Sequence, residues 1–345
     1  MPCKLYAYGD QDLYQQAVDF CQAWTEGLPH LDIPTSGSTG APKAIRLTRA
    51  QLLASAQATA QRLGLTEGDH ALLCLPIQYI AGRMMLVRAL AVEMHLHLRL
   101  PLRDPLDGLP EGLSFDFAAV VPLQLEALLG QPARTAAYLG GAKAVLVGGA
   151  PLSPDLEEAA QDFPAPLWAT YGMTETATHI ALRRINGPER SACFTALPGI
   201  EIGTDTRDCL TIQGAVTGHQ RLTTNDRVRL EGKDRFVWLG RADWVINSGG
   251  IKLQPEVIEQ EAAAYLGQTV CVLGVPDAQL GQRAVLLIER AEALTTAEQD
   301  IWLRDLKARL PLHHAPKTLA HWPRFPRTPT QKIDRQRLLR DFLGQ

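Results

Sequence analysis

The sequence predicts an α/β protein with a smaller α+β part at its C-terminal end. Helical and strand patterns alternate through the first and larger part, which is typical of strands connected by helices. From about residue 207 the pattern changes to alternating polarity with turn signals, as in "RVRLEGKDRFVWLG", which indicates antiparallel sheet. A second block of strands and helices follows. The 345 residues are enough for two domains, and we predict a boundary near Asp243, with domains 1–242 and 243–345.

The predicted elements follow from short local patterns. The segment 48–64 is expected to be a helix, because Thr48 and Gln51 can form a capping box and Gly64 can end the helix in a left-handed turn. Apolar runs bounded by turn signals predict strands at 71–75, 118–121, 144–149, 269–277 and 283–290. An amphipathic helix is expected at 298–310, and a basic helix follows the proline-rich "WPRFPRTPTQ" near the end of the chain.

Composition limits the class of protein. Hydrophobic residues make up 46% and charged residues 21%, as in ordinary globular proteins. The net charge of −3 does not suggest a nucleic-acid or membrane partner. No apolar run reaches the ~18 residues of a membrane span, and the N-terminus lacks the apolar region of a secretory signal. Six single cysteines without a CxxC pair argue against a zinc site and suit a reducing cytoplasm. We expect a cytoplasmic protein that acts on small molecules.

The stretch "PTSGSTGAPKAI" at 34–45 has the chemistry of a polyphosphate cradle. Its glycines let backbone N–H groups turn toward an anion, its hydroxyls add donors, and its lysine adds a positive charge. The spacing is not that of a Walker A loop. An ordinary Ser/Gly surface loop is the alternative reading. The candidate phosphate-binding residues are Thr35, Ser36, Gly37, Ser38, Thr39, Gly40 and Lys43.

Later segments strengthen this interpretation, because they resemble, in order, motifs of the adenylate-forming superfamily. T-S-G-S-T-G-x-P-K is similar to its phosphate-loop motif. The further matches are "GGAPL" at 148–152 for the adenine pocket, "YGMTET" at 171–176 for the aromatic-Gly-x-Thr-Glu signature, "TNDRVRL" at 224–230 for the ribose-binding aspartate, "GRADWVINSGGIKLQPEVIE" at 240–259 for the hinge, and "PRTPTQKIDR" at 326–335 for the catalytic lysine. The chain is identified as a member of this superfamily over residues 34–340.

The resemblance implies the adenylate-forming fold, with a large N-terminal domain and a small, mobile C-terminal domain. The phosphate loop begins at residue 35, much earlier than in typical members, so we expect a truncated N-terminal domain. This leaves the oligomeric state open, with a homodimer among the alternatives. Gln331 replaces the glycine that usually precedes the catalytic lysine, and a stiffer lysine loop is expected.

The resemblance also implies ATP, Mg²⁺ and coenzyme A as cofactors and co-substrates. Thr174 would donate to the α-phosphate, and Glu175 would ligate Mg²⁺, which prefers carboxylate oxygen. Lys332 would bridge the substrate carboxylate and the α-phosphate as a compact charge on a flexible stem. The other expected nucleotide contacts are Gly148, Gly149, Ala150, Tyr171, Gly172, Asp226 and Arg241.

The small domain is expected to swing about Asp243 between adenylation and thioester formation. Gly249 and Gly250 would then line a tunnel for the pantetheine arm of coenzyme A. Taken singly, each of these residues has a simpler interpretation: Lys332 would be a solvated charge and Glu175 a surface carboxylate. The order of the motifs favours the functional roles.

Two segments indicate which carboxylic acid the enzyme would use. "LPIQYIAGRMMLVRAL" at 75–90 and "YGMTETATHIALR" at 171–183 resemble the o-succinylbenzoate–CoA ligases of menaquinone biosynthesis. A substrate with a second carboxylate needs a cation in its pocket, and Arg83, Gln124 and His179 are the candidates. Arg83 and Arg88 are otherwise expected to be helix-surface arginines, and His179 a buried histidine. The alternatives are a ligase for another aryl or fatty acid, and a degenerate, non-catalytic nucleotide-binding protein.

Overall fold

The computed structural model describes residues 3–34, 44–328 and 332–344. The strands are β1 (Lys4–Ala7), β2 (His30–Pro34), β3 (Ala44–Thr48), β4 (His70–Leu73), β5 (His95–Leu98), β6 (Phe117–Val120), β7 (Ala144–Val147), β8 (Leu167–Gly172), β9 (His179–Arg184), β10 (Phe194–Ala196), β11 (Ile200–Thr204), β12 (Cys209–Gly214), β13 (Leu222–Leu230), β14 (Arg235–Arg241), β15 (Ile246–Ser248), β16 (Ile251–Leu253), β17 (Val270–Asp277), β18 (Gly281–Glu289) and β19 (Thr318–Trp322). The helices are α1 (Gln11–Thr25), α2 (Arg49–Leu63), α3 (Ile80–Val92), α4 (Pro122–Leu129), α5 (Pro132–Leu139), α6 (Pro154–Ala159), α7 (Pro255–Leu266), α8 (Thr296–Arg309) and α9 (Arg335–Leu343).

A large sheet carries most of the first part of the chain. Within the described residues its strand order is β1-β5-β4-β6-β7-β8-β9-β10-β14-β13-β12-β11. The pairs from β1 to β8 are parallel, and those from β8 onward for which a register is seen are antiparallel. The predicted α/β class, with antiparallel strands after residue 207, is confirmed. The central parallel strands β6 and β7 are short and fully apolar, as is typical of strands buried on both faces.

Helix α2 forms where the sequence predicts it. The Thr48 hydroxyl accepts a hydrogen bond from the Gln51 amide, the Gln51 side chain accepts one from the Thr48 amide, and Gly64 ends the helix with φ of 66°. Such reciprocal capping satisfies two of the free N–H groups at a helix start. The apolar stripe of α2, formed by Leu52, Ala56, Ala60 and Leu63, is buried and belongs to the same core cluster as β4 and β5.

A second, smaller sheet follows the first. Its order is β16-β15-β18-β17, and β19 pairs in parallel with β18. Helices α7 and α8 pack on it around Ile258 and Leu306, which are fully buried. The predicted strands and helices of this part are present with shifts of a few residues at their ends. The last strand of the large sheet ends at Arg241, next to the predicted boundary, which itself stays a prediction. No helix in the described ranges is both long and apolar enough to cross a bilayer.

Candidate active site

The carboxyl ends of the parallel strands bring two predicted motifs to one edge of the large sheet. Gly148 and Gly149 follow β7, and the "YGMTET" segment begins in the neighbouring β8. Open α/β sheets bind ligands at this edge. A Cβ on Gly148 would lie 2.4 Å from the Thr170 hydroxyl, so any other residue there would displace the Thr170 side chain. Gly149 has φ of +88°. The backbone is therefore bare where an adenine ring is expected to approach.

A tight turn presents Thr174 and Glu175 at the same edge. Thr174–Thr176 form a 3₁₀ turn, and Ala177 then reverses the chain with φ of 63° and ψ of −57°. The Thr178 amide donates to the Thr176 carbonyl at 2.8 Å, which closes a γ-turn of the rare, strained type. Such strain persists only where the surroundings over-determine it, and it concentrates at functional sites. Glu175 is exposed and Thr174 half-buried, so both can meet a ligand.

Gly172 makes this turn possible. A Cβ at Gly172 would lie 2.2 Å from the Thr178 carbonyl oxygen, because the first residue of β9 crosses directly beneath it. Strand β3, which follows the predicted phosphate loop, contacts the Thr174–Thr176 turn. Pro34 and Ala44 pair across β2 and β3, so the two ends of the loop are adjacent. The loop residues predicted to bind phosphate (Thr35, Ser36, Gly37, Ser38, Thr39, Gly40 and Lys43) lie outside the described residues.

Asp226 is the centre of the site. It is 9% exposed, and it accepts hydrogen bonds from the Tyr171 hydroxyl (2.7 Å) and the Trp238 indole (3.3 Å). Arg241 lies opposite it on β14, with a guanidinium nitrogen 3.8 Å from the carboxylate, and also pairs with Asp243. Burial, together with the Asp226 charge, raises the pKa of Tyr171. Tyr171 and Trp238 therefore fix the orientation of the Asp226 carboxylate, and the Arg241 guanidinium lies beside it.

The Tyr171 ring packs within the protein. Its centroid is 5.8 Å from Phe194 and 5.1 Å from Phe236, and its hydroxyl is engaged by Asp226. The ring that we expect to lie beside adenine is therefore also packed against a hydrophobic core cluster. That role stays a prediction.

The second part of the chain brings Lys332 to this cleft. The Lys332 side chain is exposed, yet nearby protein atoms partly desolvate its amine and, with the positive charge of Arg241, lower its pKa; Asp226 opposes this shift. The Lys332 amide donates to the Thr328 hydroxyl at 3.2 Å, and the Thr328 amide donates to the Lys332 carbonyl at 2.8 Å. These bonds close a loop whose residue Gln331 lies outside the described residues. Lys332, Asp226 and Arg241 thus come together from distant parts of the sequence.

Gly249 and Gly250 form the two-residue turn between β15 and β16. Their φ angles are +58° and +83°, as in the type I′ turns that favour glycine. This turn alone explains both glycines, so the predicted pantetheine tunnel stays a separate proposal. Asp243 lies in a 3₁₀ turn between β14 and β15, at the junction of the two sheets.

The prediction that Arg88 lies on a helix surface is wrong. Arg88 is 2% exposed, and its guanidinium donates to the Thr178 hydroxyl at 2.9 Å. Its Nε has no partner, and no carboxylate among the described residues lies within ion-pairing distance of it. Burial lowers its pKa to about 10, so it remains positively charged at neutral pH. A buried charge without a counter-ion is costly, and this one is hydrogen-bonded to Thr178, the last residue of the strained turn that follows Glu175.

The three predicted substrate residues have other partners. Arg83 is half-buried and donates to the Ile77 carbonyl. Gln124 is buried, and its amide donates to the carbonyls of Cys74 (3.0 Å) and Leu102 (2.9 Å) and accepts from the Val121 amide. This engagement disfavours Gln124 as a ligand, because both ends of its amide are used by the fold.

His179 is buried and hydrogen-bonded, which agrees with the simpler of its two interpretations. Its Nε2 lies 3.0 Å from the Thr59 hydroxyl, and that hydroxyl donates to the Ser55 carbonyl. A hydroxyl has one proton, so His179 Nε2 is the donor in their contact. Burial and the charge of Arg88 lower the pKa of His179 well below its usual value. The neutral imidazole therefore lies beside Arg88 without neutralising it.

A bare glycine edge, an exposed acidic turn, a fixed aspartate and a lysine from the second part of the chain are the features that the sequence predicts for an adenylate-forming site. Residues 30–203 match the family described as AMP-binding enzyme, and the chain belongs to that family. It is 32% identical over 290 residues to 2-succinylbenzoate–CoA ligase of Salmonella typhimurium, covering 80% of this chain and 61% of that enzyme. It is 30% identical to a probable 2-succinylbenzoate–CoA ligase of Mycobacterium tuberculosis, covering 91% of this chain and 85% of the relative.

A solved structure is similar over nearly the whole chain. The acyl-CoA synthetase (AMP-forming)/AMP-acid ligase II-like protein of Dyadobacter fermentans is 41% identical, with a TM-score of 0.65, and the match covers 97% of this chain and 96% of that one. The adenylate-forming fold is therefore shown for this chain. The chain spans 61% of the Salmonella enzyme but almost the full Dyadobacter chain.

Proposed function

We propose that the protein joins a carboxylic acid bearing a second carboxylate, o-succinylbenzoate, to coenzyme A through an acyl-adenylate. ATP is consumed, and AMP and pyrophosphate are released. The relatives named as 2-succinylbenzoate–CoA ligases support the reaction class. The observation that carries the substrate is Arg88, a buried cation without an acidic partner among the described residues. A carboxylate bound there would form charge-assisted hydrogen bonds with a guanidinium that the fold has already desolvated.

The nucleotide roles follow from the positions of the residues. Asp226 would accept from the ribose hydroxyls, since its carboxylate is held by Tyr171 and Trp238. Thr174 would donate to the α-phosphate. Lys332 would bridge the α-phosphate and the reacting carboxylate, and its proximity to Asp226 and Arg241 supports this role. Charge develops on the phosphoryl oxygens during attack by the carboxylate, so catalysis here is mainly positioning and electrostatic stabilisation.

The acidic residue of the turn fits Mg²⁺. Glu175 offers exposed carboxylate oxygen, and Mg²⁺ at nucleotide sites is commonly held by one or two carboxylates together with substrate phosphates. No cluster of three or more metal-ligating side chains occurs in the described parts of the chain, and this mode of binding requires none. Bound Mg²⁺ would neutralise charge on the phosphates while Glu175 holds it at the edge of the sheet.

The thioester step requires Lys332 to leave the cleft so that a thiol can reach the acyl carbonyl. We propose that the second domain, 243–345, swings about Asp243, and that Gly249 and Gly250 then lie along the pantetheine path. The free, mostly buried cysteines support a reducing compartment such as the cytoplasm. The homodimer is a prediction that light scattering can test.

ATP–pyrophosphate exchange across a panel of acids tests the proposal. We expect exchange with o-succinylbenzoate and much weaker exchange with benzoate, a fatty acid or an amino acid. Exchange with one of the latter instead would change the substrate. Exchange with none of a broad panel, with ATP still bound, would favour a non-catalytic nucleotide-binding protein.

A further inference from the structure

Two side chains at the start of α7 hold the main chain of Arg241 from the other domain. The Gln254 amide donates to the Arg241 carbonyl at 3.1 Å, and the Arg241 amide donates to the Glu256 carboxylate at 3.2 Å. Gln254 also accepts from the Arg227 guanidinium at 3.3 Å. Arg227 and Arg241 belong to β13 and β14 of the large sheet, whereas Gln254 and Glu256 belong to the second part. The contacts therefore join the two sheets.

A glycine makes room for this contact. A Cβ on Gly240 would lie 2.5 Å from Glu256 Oε2 and 2.6 Å from Gln254 Nε2, so both side chains occupy the space that any other residue would fill. Gly240 has φ of +123°. We call this space, bounded by Gly240, Arg241 and Arg227, the Gly240 notch. Gln254 is 8% exposed in it, so the fit is close.

Among the described residues, only one of the two carboxylate oxygens of Glu256 has a hydrogen-bond partner. Glu256 Oε1 accepts from the Arg241 amide, but Glu256 Oε2 is buried and has no partner among the described residues. Burial raises the pKa of Glu256, and the nearby charge of Arg335 opposes the shift. A well-packed static interface leaves few buried oxygens unsatisfied. An interface that opens and closes during the reaction can leave a buried oxygen such as Glu256 Oε2 without a partner.

Arg241 connects the notch to the nucleotide site. Its main chain is held by Gln254 and Glu256, while its side chain faces Asp226 and influences Lys332. We infer that Gln254 and Glu256 form a latch on the Arg241 peptide, which holds the second domain in the orientation that presents Lys332 for adenylation. They are positioning residues, and opening the latch is part of the change to thioester formation. This inference rests on the proposed function.

The first test does not depend on activity. Hydrogen exchange of the whole protein is measured for peptides covering 235–244 and the start of α7. In Glu256→Ala we expect these peptides to exchange about fivefold faster, since this variant loses one interdomain hydrogen bond, and in Gln254→Ala at least as fast, since that variant loses two. Glu256→Gln retains an oxygen acceptor and should restore most of the protection. Glu261→Ala is the control, because Glu261 lies on the same helix but pairs with Arg309. Unchanged exchange at 235–244 in Glu256→Ala would overturn the latch.

The second test separates the two half-reactions. Glu256→Ala should slow ATP–pyrophosphate exchange about fivefold, while thioester formation from supplied acyl-adenylate is unchanged or faster. An equal loss in both half-reactions would indicate a merely structural role and overturn the proposal. If the wild-type protein supports exchange with no acid, the proposed function fails, and hydrogen exchange still decides whether the latch exists.

Discussion

Replacement of Arg88 by methionine is expected to raise stability while it destroys selectivity for the second carboxylate. Burial lowers the pKa of Arg88 from 12.5 to about 10, which corresponds to about 3 kcal/mol of unfavourable desolvation in the folded state. The lost hydrogen bond to Thr178 offsets about 1 kcal/mol. Because methionine fills a similar volume without charge, the free energy of unfolding should rise by about 2 kcal/mol.

The same change should greatly reduce activity. Removing one partner of a buried, hydrogen-bonded charge pair costs about 2–5 kcal/mol. At about 1.4 kcal/mol for each factor of ten, kcat/KM for o-succinylbenzoate should fall between about 30-fold and several thousand-fold. Arg83→Met, on the same helix but half-exposed and bound to a carbonyl, should cost less than about threefold if its contribution is that of a surface charge.

A double-mutant cycle provides the assay. Exchange is measured for wild type and Arg88→Met with o-succinylbenzoate and with the analogue whose non-reacting carboxylate is a carboxamide. We expect the analogue to be poor with wild type and no worse with the variant, because the interaction has already been removed. Urea unfolding of both proteins measures the stability change. Additive losses in the cycle, or a variant less stable than wild type, would refute the assignment.

Three further changes test the nucleotide site. Lys332→Ala should abolish adenylation but spare thioester formation from preformed acyl-adenylate, and equal loss in both steps would exclude the bridging role. The pKa of Lys332 is lowered from its usual value of 10.5, and its amine is charged below that pKa and loses its charge as the pH rises through it. The rate of ATP–pyrophosphate exchange should therefore decline at a pH below 10.5. Lys332→Arg should remove that decline. Gly172→Ala should lower the free energy of unfolding by more than about 2 kcal/mol, since its Cβ would meet the Thr178 carbonyl; an unchanged melting temperature would mean that the turn relaxes freely.

The elements that could be predicted are those specified by neighbouring residues. Thr48, Gln51 and Gly64 determine the ends of α2 within a few residues of chain, and the short apolar runs of the parallel strands need only burial on both faces. β1 carried no comparable signal. β1 has only four residues, and its pairing with β5 joins positions about ninety residues apart.

The site was only partly predictable, because its contacts are long-range. The Tyr171–Asp226 bond and the clustering of Lys332 with Arg241 depend on how separate elements pack. Arg88 was missed because its neighbours in space, including Thr178, are distant in sequence. The signal was nevertheless present: "MMLVRALAV" places one arginine in an apolar run, which indicates a buried charge. The partners of Gln124, Cys74 and Leu102, likewise cannot be read from its own segment.

Isotope transfer tests the central chemistry most directly. The acid is labelled with ¹⁸O in its reacting carboxylate and converted to the thioester with ATP and coenzyme A, and the products are analysed by mass spectrometry. Attack of the carboxylate on the α-phosphate predicts one ¹⁸O atom in AMP and none in pyrophosphate. Label in inorganic phosphate, or unlabelled AMP with thioester formed, would contradict an acyl-adenylate pathway at this site.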